Sequence, residues 1–117
     1  PLASGLLSGK YNDGIPEGSR FGLHGFDWLK DRWMQESLLN KVRGLSDLAK
    51  EIGITMPQLA IAWCIKNPNV TTAILGATNK AQLLENLGVE TTAEKLTDQL
   101  MQRIDEIVGT KPILPEH

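Results

Sequence analysis

The amino-acid sequence predicts an α/β fold class in which helices dominate and one segment forms a strand. Residues 35–52 carry apolar side chains at spacings of three and four, which is the pattern of one face of a helix. Residues 70–75 are short, β-branched and apolar without polar alternation, and they predict a strand that is buried on both faces. Thr55 and Thr97 stand directly before helical patterns and predict N-caps.

Four longer helices are predicted from apolar periodicity and capping residues, and a shorter one is predicted among the aromatic residues of 21–34. The longer helices cover residues 35–52, 56–66, 79–87 and 97–108. Thr55 and Gln58 form a capping-box pattern before the second of these, and Thr78 is the predicted N-cap of the third. The first 20 residues are rich in Gly, Ser and Pro and predict a loop with at most one helical turn.

The single predicted strand has a consequence for the whole fold. One strand cannot form a sheet, because its backbone N–H and C=O groups need partners on neighbouring strands. The chain begins at Pro1 in a loop-like segment and supplies no second strand. We therefore expect an N-terminal portion to be absent. We also expect the isolated chain to be marginally stable and to self-associate through the bare edges of strand 70–75.

Composition excludes several classes of function. The chain has 117 residues, a net charge of −2 and no basic run, so nucleic-acid binding is not predicted. The longest apolar run, residues 59–65, is far shorter than the roughly 20 residues of a membrane span, so a soluble protein is predicted. Cys64, the only cysteine, is predicted to be a buried core residue, and a cytoplasmic setting is favoured. His24 and His117 lack partners at metal-ligand spacing, so no metal site is predicted.

A first candidate site lies where the predicted strand leads into a helix. Gly76 permits close approach of a ligand to the backbone, and the free N–H groups of a helix N-terminus bind phosphate. Gln82 follows four residues after Thr78. Glu85 and Asn86 come three and four residues later, so one of them shares the same helix edge. The solvated polar face of a capped helix explains this spacing too, and on spacing alone that simpler interpretation is favoured.

A second candidate site is the N-terminal segment 1–11. Gly5, Ser8 and Gly9 give a flexible backbone with a hydroxyl, and Lys10 adds a positive charge. Such a loop suits a pyrophosphate group, because backbone N–H groups and a cation both favour anions. Gly/Ser loops with a lysine are common, so the pattern alone does not assign a site.

Together the two segments resemble the aldo-keto reductase superfamily, and within it the branch that includes the potassium-channel β subunits. The matching stretches are 1–11, 14–16, 19–20, 58–64 and 75–78, followed by Gln82, Glu85 and Asn86. Members of this family are single-domain (β/α)₈ TIM barrels. The resemblance implies that residues 1–117 form the C-terminal part of such a barrel, beginning just after its seventh strand.

The resemblance also implies NADP(H) as cofactor. The implied cofactor-binding residues are Pro1, Leu2, Ala3, Ser4, Gly5, Lys10, Arg20, Gly76, Thr78, Gln82, Glu85 and Asn86. The first seven match positions near the pyrophosphate and the other phosphates, and the last five match the site of the 2′-phosphate and adenine. Many family members have arginine where Gln82 stands, which weakens the expected preference for NADP over NAD.

Two hypotheses for function follow from the resemblance. In the first, the chain is the NADPH-binding portion of an oxidoreductase that reduces a small-molecule carbonyl substrate to an alcohol. The family's catalytic Asp, Tyr, Lys and His precede this segment, so no catalytic residue is predicted here. In the second, the protein is a non-catalytic regulatory or binding module of the channel β-subunit type. No membrane insertion is predicted, and a homo-oligomer is compatible with both hypotheses.

Overall fold

The computed structural model describes residues 1–113, and its regular elements are helices. Two short 3₁₀ helices cover Ala3–Ser8 and Arg20–Gly22. The α-helices of this part of the chain are α1 (Asp27–Trp33), α2 (Glu36–Glu51), α3 (Met56–Ile65), α4 (Lys80–Leu87), α5 (Val89–Ala93) and α6 (Asp98–Val108). The four longer predicted helices are present to within a residue at each end, and the short helix predicted within residues 21–34 is confined to Asp27–Trp33. Helix α5 was not predicted, and His117 lies outside the described residues.

The predicted fold class is wrong, because residues 1–113 contain no strand. Segment 70–75 has no regular secondary structure, and the side chain of Ile74 is 85% exposed. A strand exists only through hydrogen bonds to a neighbour, and no described segment pairs with 70–75. The described residues therefore form a helical assembly, without the sheet that an α/β layer or a TIM barrel would require.

Helix α3 lies at the centre of the main core. Its residues 56–62 are buried except for Gln58, and α3 contacts α2, α4, α5 and the helix Ala3–Ser8. This agrees with its sequence, which is apolar on most faces. The core cluster comprises Leu45, Leu48, Ala49, Ile54, Met56, Leu59, Ala60, Ile61, Ala62, Val89, Leu96 and Ile104.

A second core cluster joins the N-terminal loop to α1 and α2. It consists of Leu6, Tyr11, Phe21, Leu29, Leu39 and Val42. Because Leu6 and Phe21 belong to the two 3₁₀ helices and Tyr11 to the turn that follows the first, this cluster fixes residues 1–22 against α1 and α2.

The helix caps follow the sequence signals with one exception. Thr55 and Gln58 form the predicted capping box at the start of α3, and Thr97 caps α6. The N-cap of α4 is Asn79 and not Thr78, so the prediction for this helix is wrong by one residue. Asn and Thr are both good N-caps, so the sequence alone does not choose between neighbours.

The outer faces of α2 and α6 carry charged side chains. Arg103 donates hydrogen bonds to both carboxylate oxygens of Glu51, at 3.1 and 2.8 Å. These bonds, and then the charge of Arg103, lower the pKa of Glu51. Both side chains are largely exposed, so the pair adds little to stability. Within the described part of the chain, no helix is both long and apolar enough to cross a membrane.

Candidate functional site

A cavity of about 830 Å³ lies between the N-terminal loop and the segment that leads into α4. This volume is within the range of about 300–1,000 Å³ that is usual for small-molecule sites. The cavity is lined by Pro1, Leu2, Ser4, Gly5, Ser8, Lys10, Gly18, Ser19, Arg20, Leu23, Phe26, Pro57, Ile74, Leu75, Gly76, Ala77, Thr78, Gln82, Glu85 and Asn86. The fold thus brings together all the residues predicted to bind a cofactor except Ala3, which packs against the second core cluster.

The N-terminal wall of the cavity has a tight and strained backbone. Gly5 N–H donates to the Leu2 carbonyl at 2.9 Å, and the Ser8 hydroxyl donates to the Gly5 carbonyl at 2.6 Å. Gly5 has φ +99°, and two non-glycine residues also have positive φ, Ala3 at 47° and Ser4 at 59°. Such conformations persist only where the surrounding structure enforces them, and they are found at ligand sites.

The charged side chains of the cavity favour an anionic ligand. Lys10 and Arg20 line it with positive charge, and Glu85 is the carboxylate among the lining residues. Two cations against one carboxylate leave a net positive charge at the wall. Phosphate groups bind where lysine, arginine and backbone N–H groups converge.

At the start of α4, hydrogen bonds join Gln82 to both Thr78 and Asn79. Asn79, as N-cap, accepts from Gln82 N–H at 2.9 Å through Oδ1. The Gln82 side chain turns back toward Thr78, and its Oε1 accepts from both the backbone N–H and the hydroxyl of Thr78 at 2.9 Å each. The two donors of Thr78 are therefore engaged by Gln82, and an anion that uses them must displace the Gln82 oxygen.

Asn86 is the buried polar side chain of the cavity. The residue is 3% exposed and lies at the cavity wall. A side-chain amide in this place can both donate a hydrogen bond to a ligand and accept one from it. The backbone next to Asn86 is fixed, since Gln58 Nε2 donates to the Glu85 carbonyl at 3.0 Å and joins α3 to α4.

Comparison with known proteins identifies the family of the chain. A family model described as "Aldo/keto reductase family" matches residues 1–109. The chain belongs to the aldo/keto reductase family. A probable voltage-gated potassium channel subunit beta of Arabidopsis thaliana is 45% identical to it over 117 residues, covering 99% of the chain and 36% of the relative. The predicted resemblance to this family and to its channel-subunit branch is confirmed, and the chain spans about a third of that relative's length.

Several lining residues of this aldo/keto reductase chain escaped the sequence prediction. Ser8 and Ser19 belong to segments that the sequence analysis had singled out, but they were not among the predicted cofactor-binding residues. Phe26 and Pro57 gave no sequence signal, because they reach the cavity only through the packing of the N-terminal segments and α3. The other unpredicted lining residues are Gly18, Leu23, Ile74, Leu75 and Ala77.

A smaller cavity of about 190 Å³ differs from the first in chemistry. It is lined by Pro1, Leu7, Leu45, Met56, Leu59, Ala60, Trp63, Cys64, Ile104 and Val108. No charged side chain is among these residues, so this cavity does not suit a phosphorylated ligand. Cys64 is half-buried at its wall rather than fully buried as predicted.

Proposed function

We propose that the larger cavity binds the adenosine and phosphate portion of NADP(H). The observation that supports this most is the meeting of the two predicted segments, near residues 1–20 and 76–86, around one cavity with a net positive wall. The spacing of residues 76–86 alone favours a solvated helix face. Their convergence with Lys10 and Arg20 favours a phosphate site instead.

Each part of the cavity suits one part of the cofactor. Lys10 and Arg20 supply positive charge for phosphate oxygens, and the strained loop of residues 1–5 supplies backbone N–H groups. Thr78 and the first turn of α4 suit the 2′-phosphate, because a helix N-terminus favours anions. The side-chain amide of Asn86 can donate to and accept from an adenine edge. When bound, the cofactor supplies the hydride for carbonyl reduction.

Gln82 limits the preference for NADP over NAD. A 2′-phosphate must replace the Gln82 oxygen as acceptor for both donors of Thr78. A neutral amide at this position then adds a hydrogen bond but no attraction of opposite charges. We therefore propose NADP(H) as the preferred cofactor, with a smaller margin than an arginine at position 82 would give.

We further propose that the chain is one part of a longer family domain whose complete form reduces a carbonyl compound to an alcohol. The relative extends well beyond the matched region, since the chain covers 36% of it. We assign no catalytic residue to this chain. The similarity to a probable potassium channel subunit favours a second candidate, a regulatory subunit in which the bound cofactor acts as a signal and not as a reductant.

Titration of NADPH and NADH into the protein expressed from its complete coding sequence tests this proposal. Replacing Lys10 and Arg20 together by glutamine should weaken NADPH binding by roughly a hundredfold or more, since charge-assisted contacts contribute about 1.5–3 kcal/mol each. Lys50→Gln is the control, because this lysine is 80% exposed on α2 and does not line the cavity. Its affinity for NADPH should equal that of the unaltered protein.

The outcomes separate the candidates. If neither nicotinamide cofactor binds, the proposed cofactor site is rejected. If NADPH binds and is oxidised faster with aldehydes or ketones present, the oxidoreductase is supported over the regulatory subunit. If NADPH binds but a broad set of carbonyl compounds leaves its oxidation rate unchanged, the regulatory subunit is favoured.

A further inference from the structure

Two buried aromatic side chains directly follow the two cations of the cavity. Tyr11 follows Lys10, and Phe21 follows Arg20. Tyr11 is 0% exposed and Phe21 is 2% exposed, and their rings are stacked with centroids 4.1 Å apart and planes at 15°. Neither ring lines the cavity, so neither is placed to contact a ligand there.

We propose that Tyr11 is a positioning residue for anion binding, which it serves by holding Lys10 and Arg20 on the same cavity wall through its stack on Phe21. The inference rests on the proposed binding of phosphate groups in this cavity. Tyr11 itself does not line the proposed cofactor site, so this role is separate from direct contact with the ligand.

The loop between Lys10 and Arg20 is too flexible to fix the positions of the two cations relative to each other. Residues 12–19 join them without regular secondary structure, and Gly14 and Gly18 both have positive φ, at 139° and 73°. A glycine-containing loop of this kind has many accessible conformations, so it cannot hold its two ends in register by itself. The stacked rings of Tyr11 and Phe21 hold the two ends of the loop together, and each ring belongs to the residue that follows a cation.

Tyr11 also confines the lysine side chain directly. Lys10 Nζ lies 5.4 Å from the centroid of the Tyr11 ring, a distance that permits a cation–π interaction. Gly5 is close to both side chains, since an added Cβ there would lie 2.9 Å from Lys10 Cε and 3.4 Å from Tyr11 Cε2. The lysine side chain therefore packs next to both the aromatic ring and the glycine backbone. Replacing the ring by an aliphatic side chain removes one of these two neighbours.

The ring matters more than the hydroxyl. Phe21 N–H donates to the Tyr11 hydroxyl at 3.4 Å, which is long for a hydrogen bond. The residue after Tyr11 is anchored separately, because Arg43 Nε donates to the Asn12 carbonyl at 3.2 Å. Loss of the aromatic ring should therefore loosen the placement of the cations while the loop stays attached to α2.

A double-mutant cycle with inorganic pyrophosphate as probe tests the proposal on the protein expressed from its complete coding sequence. Tyr11→Leu should weaken pyrophosphate binding about tenfold, and the affinity should become less sensitive to salt because less positive charge meets the anion. In the variant that lacks both cations, Lys10→Gln with Arg20→Gln, Tyr11→Leu should have no further effect. Non-additivity of this kind means that the residue acts through the cations.

Two companion variants separate positioning from general destabilisation. Tyr11→Phe keeps the ring and should bind pyrophosphate within about twofold of the unaltered protein, since only one long hydrogen bond is lost. Leu39→Ala belongs to the same core cluster and should lower stability without changing pyrophosphate affinity. If Tyr11→Leu does not fold, Phe21→Leu breaks the stack from its other side and carries the same expectations.

Each result decides between the positioning role and the proposed function. Equal weakening by Tyr11→Leu with and without the cations overturns the positioning role, as does an equal loss in Leu39→Ala. Non-additive effects of Tyr11→Leu and the loss of both cations on pyrophosphate binding support the positioning role. This holds even if NADPH binds no more tightly than pyrophosphate and the cofactor proposal fails. Normal NADPH binding without coupling to Tyr11 rejects the positioning role alone, and absence of binding by either probe rejects both.

Discussion

Gly5 combines a left-handed backbone with close contact to a cation of the cavity, so Gly5→Ala tests whether Lys10 is held in place by the loop. At φ +99° an L-amino acid is strained by about 1–2 kcal/mol. The new methyl carbon would lie 2.9 Å from Lys10 Cε and 3.2 Å from Lys10 Nζ. Both atoms belong to the far end of a flexible side chain, so we expect Lys10 to move rather than the backbone.

The size of the expected effect follows from these two contributions. Unfolding free energy should fall by about 1–2 kcal/mol from the backbone strain. Displacement of Lys10 should weaken NADPH binding by up to about tenfold, the equivalent of about 1.4 kcal/mol, if the contact to phosphate is lost entirely. Both quantities are measurable on the same sample, by urea denaturation and by fluorescence titration.

Gly53→Ala is the matched control for this experiment. Gly53 also has positive φ, at 75°, but an added Cβ there would have no neighbour within 4 Å. It follows α2, away from the cavity lining, so alanine should cause a similar loss of stability with unchanged affinity for NADPH. Unaltered affinity in Gly5→Ala would refute the reasoning, and so would an equal loss of affinity in both variants.

Three further substitutions test the core, the cofactor preference and the surface charges. Leu59→Ala should lower the unfolding free energy by about 2–5 kcal/mol, because Leu59 is 1% exposed in the main core. Leu87→Ala, at an exposed position, should change it by less than about 0.5 kcal/mol in the same urea titrations, and similar losses would contradict the assigned core. Gln82→Arg should raise the ratio of NADPH to NADH affinity about tenfold, and an unchanged ratio in parallel titrations would count against the proposed 2′-phosphate site. Glu51→Gln should lower the melting temperature slightly near neutral pH. Because Arg103 lowers the folded-state pKa of Glu51, that stabilisation is present above the unfolded-state pKa and is lost as pH falls through the folded-state pKa. The difference from the unaltered protein should therefore vanish in acid, and a difference that is constant with pH would disprove this origin.

The elements that the sequence predicts well are those encoded by neighbouring residues. The stripe of residues 35–52 and the capping box of Thr55 and Gln58 determine where α2 and α3 lie, and Thr97 determines where α6 begins. These signals act within one or two turns of helix, so they do not depend on the rest of the fold. Helix α5 was missed because a glycine after the last apolar residue usually ends a helix, whereas Gly88 keeps right-handed angles of φ −65° and ψ −5°.

The strand prediction failed for the opposite reason. A run rich in β-branched residues, such as 70–75, has a preference for extended backbone. A strand, however, forms only through hydrogen bonds to a partner segment, and the run itself does not specify where that partner lies. Among residues 1–113 no such partner is present, so Ile74 is left 85% exposed. The segment also contains two polar residues, Thr71 and Thr72, which are both exposed. Its burial could not follow from the segment itself.

Family resemblance identified part of the candidate site, but the rest depends on how the helices pack. Residues such as Lys10 and Asn86 were identified by family resemblance, and only the structure brings them to one cavity. Phe26 and Pro57 could not be found, because their place in the lining depends on how separate helices pack. The bonds from Thr78 to Gln82 were also out of reach, since helical spacing shows that two side chains are near but not which atoms pair.

Gln58 links the part of the fold that sequence predicts to the part that it does not. Its Oε1 accepts from Thr55 N–H at 3.2 Å in the capping box, and its Nε2 donates to the Glu85 carbonyl at 3.0 Å. The first contact is local and visible as a sequence pattern. The second joins α3 to the wall that carries Glu85 and Asn86, and its partner lies 27 residues away. Because one planar amide makes both bonds, the start of α3 and the position of the cavity wall are set together. A residue of a helix-capping pattern can therefore also help to position the wall of a cavity.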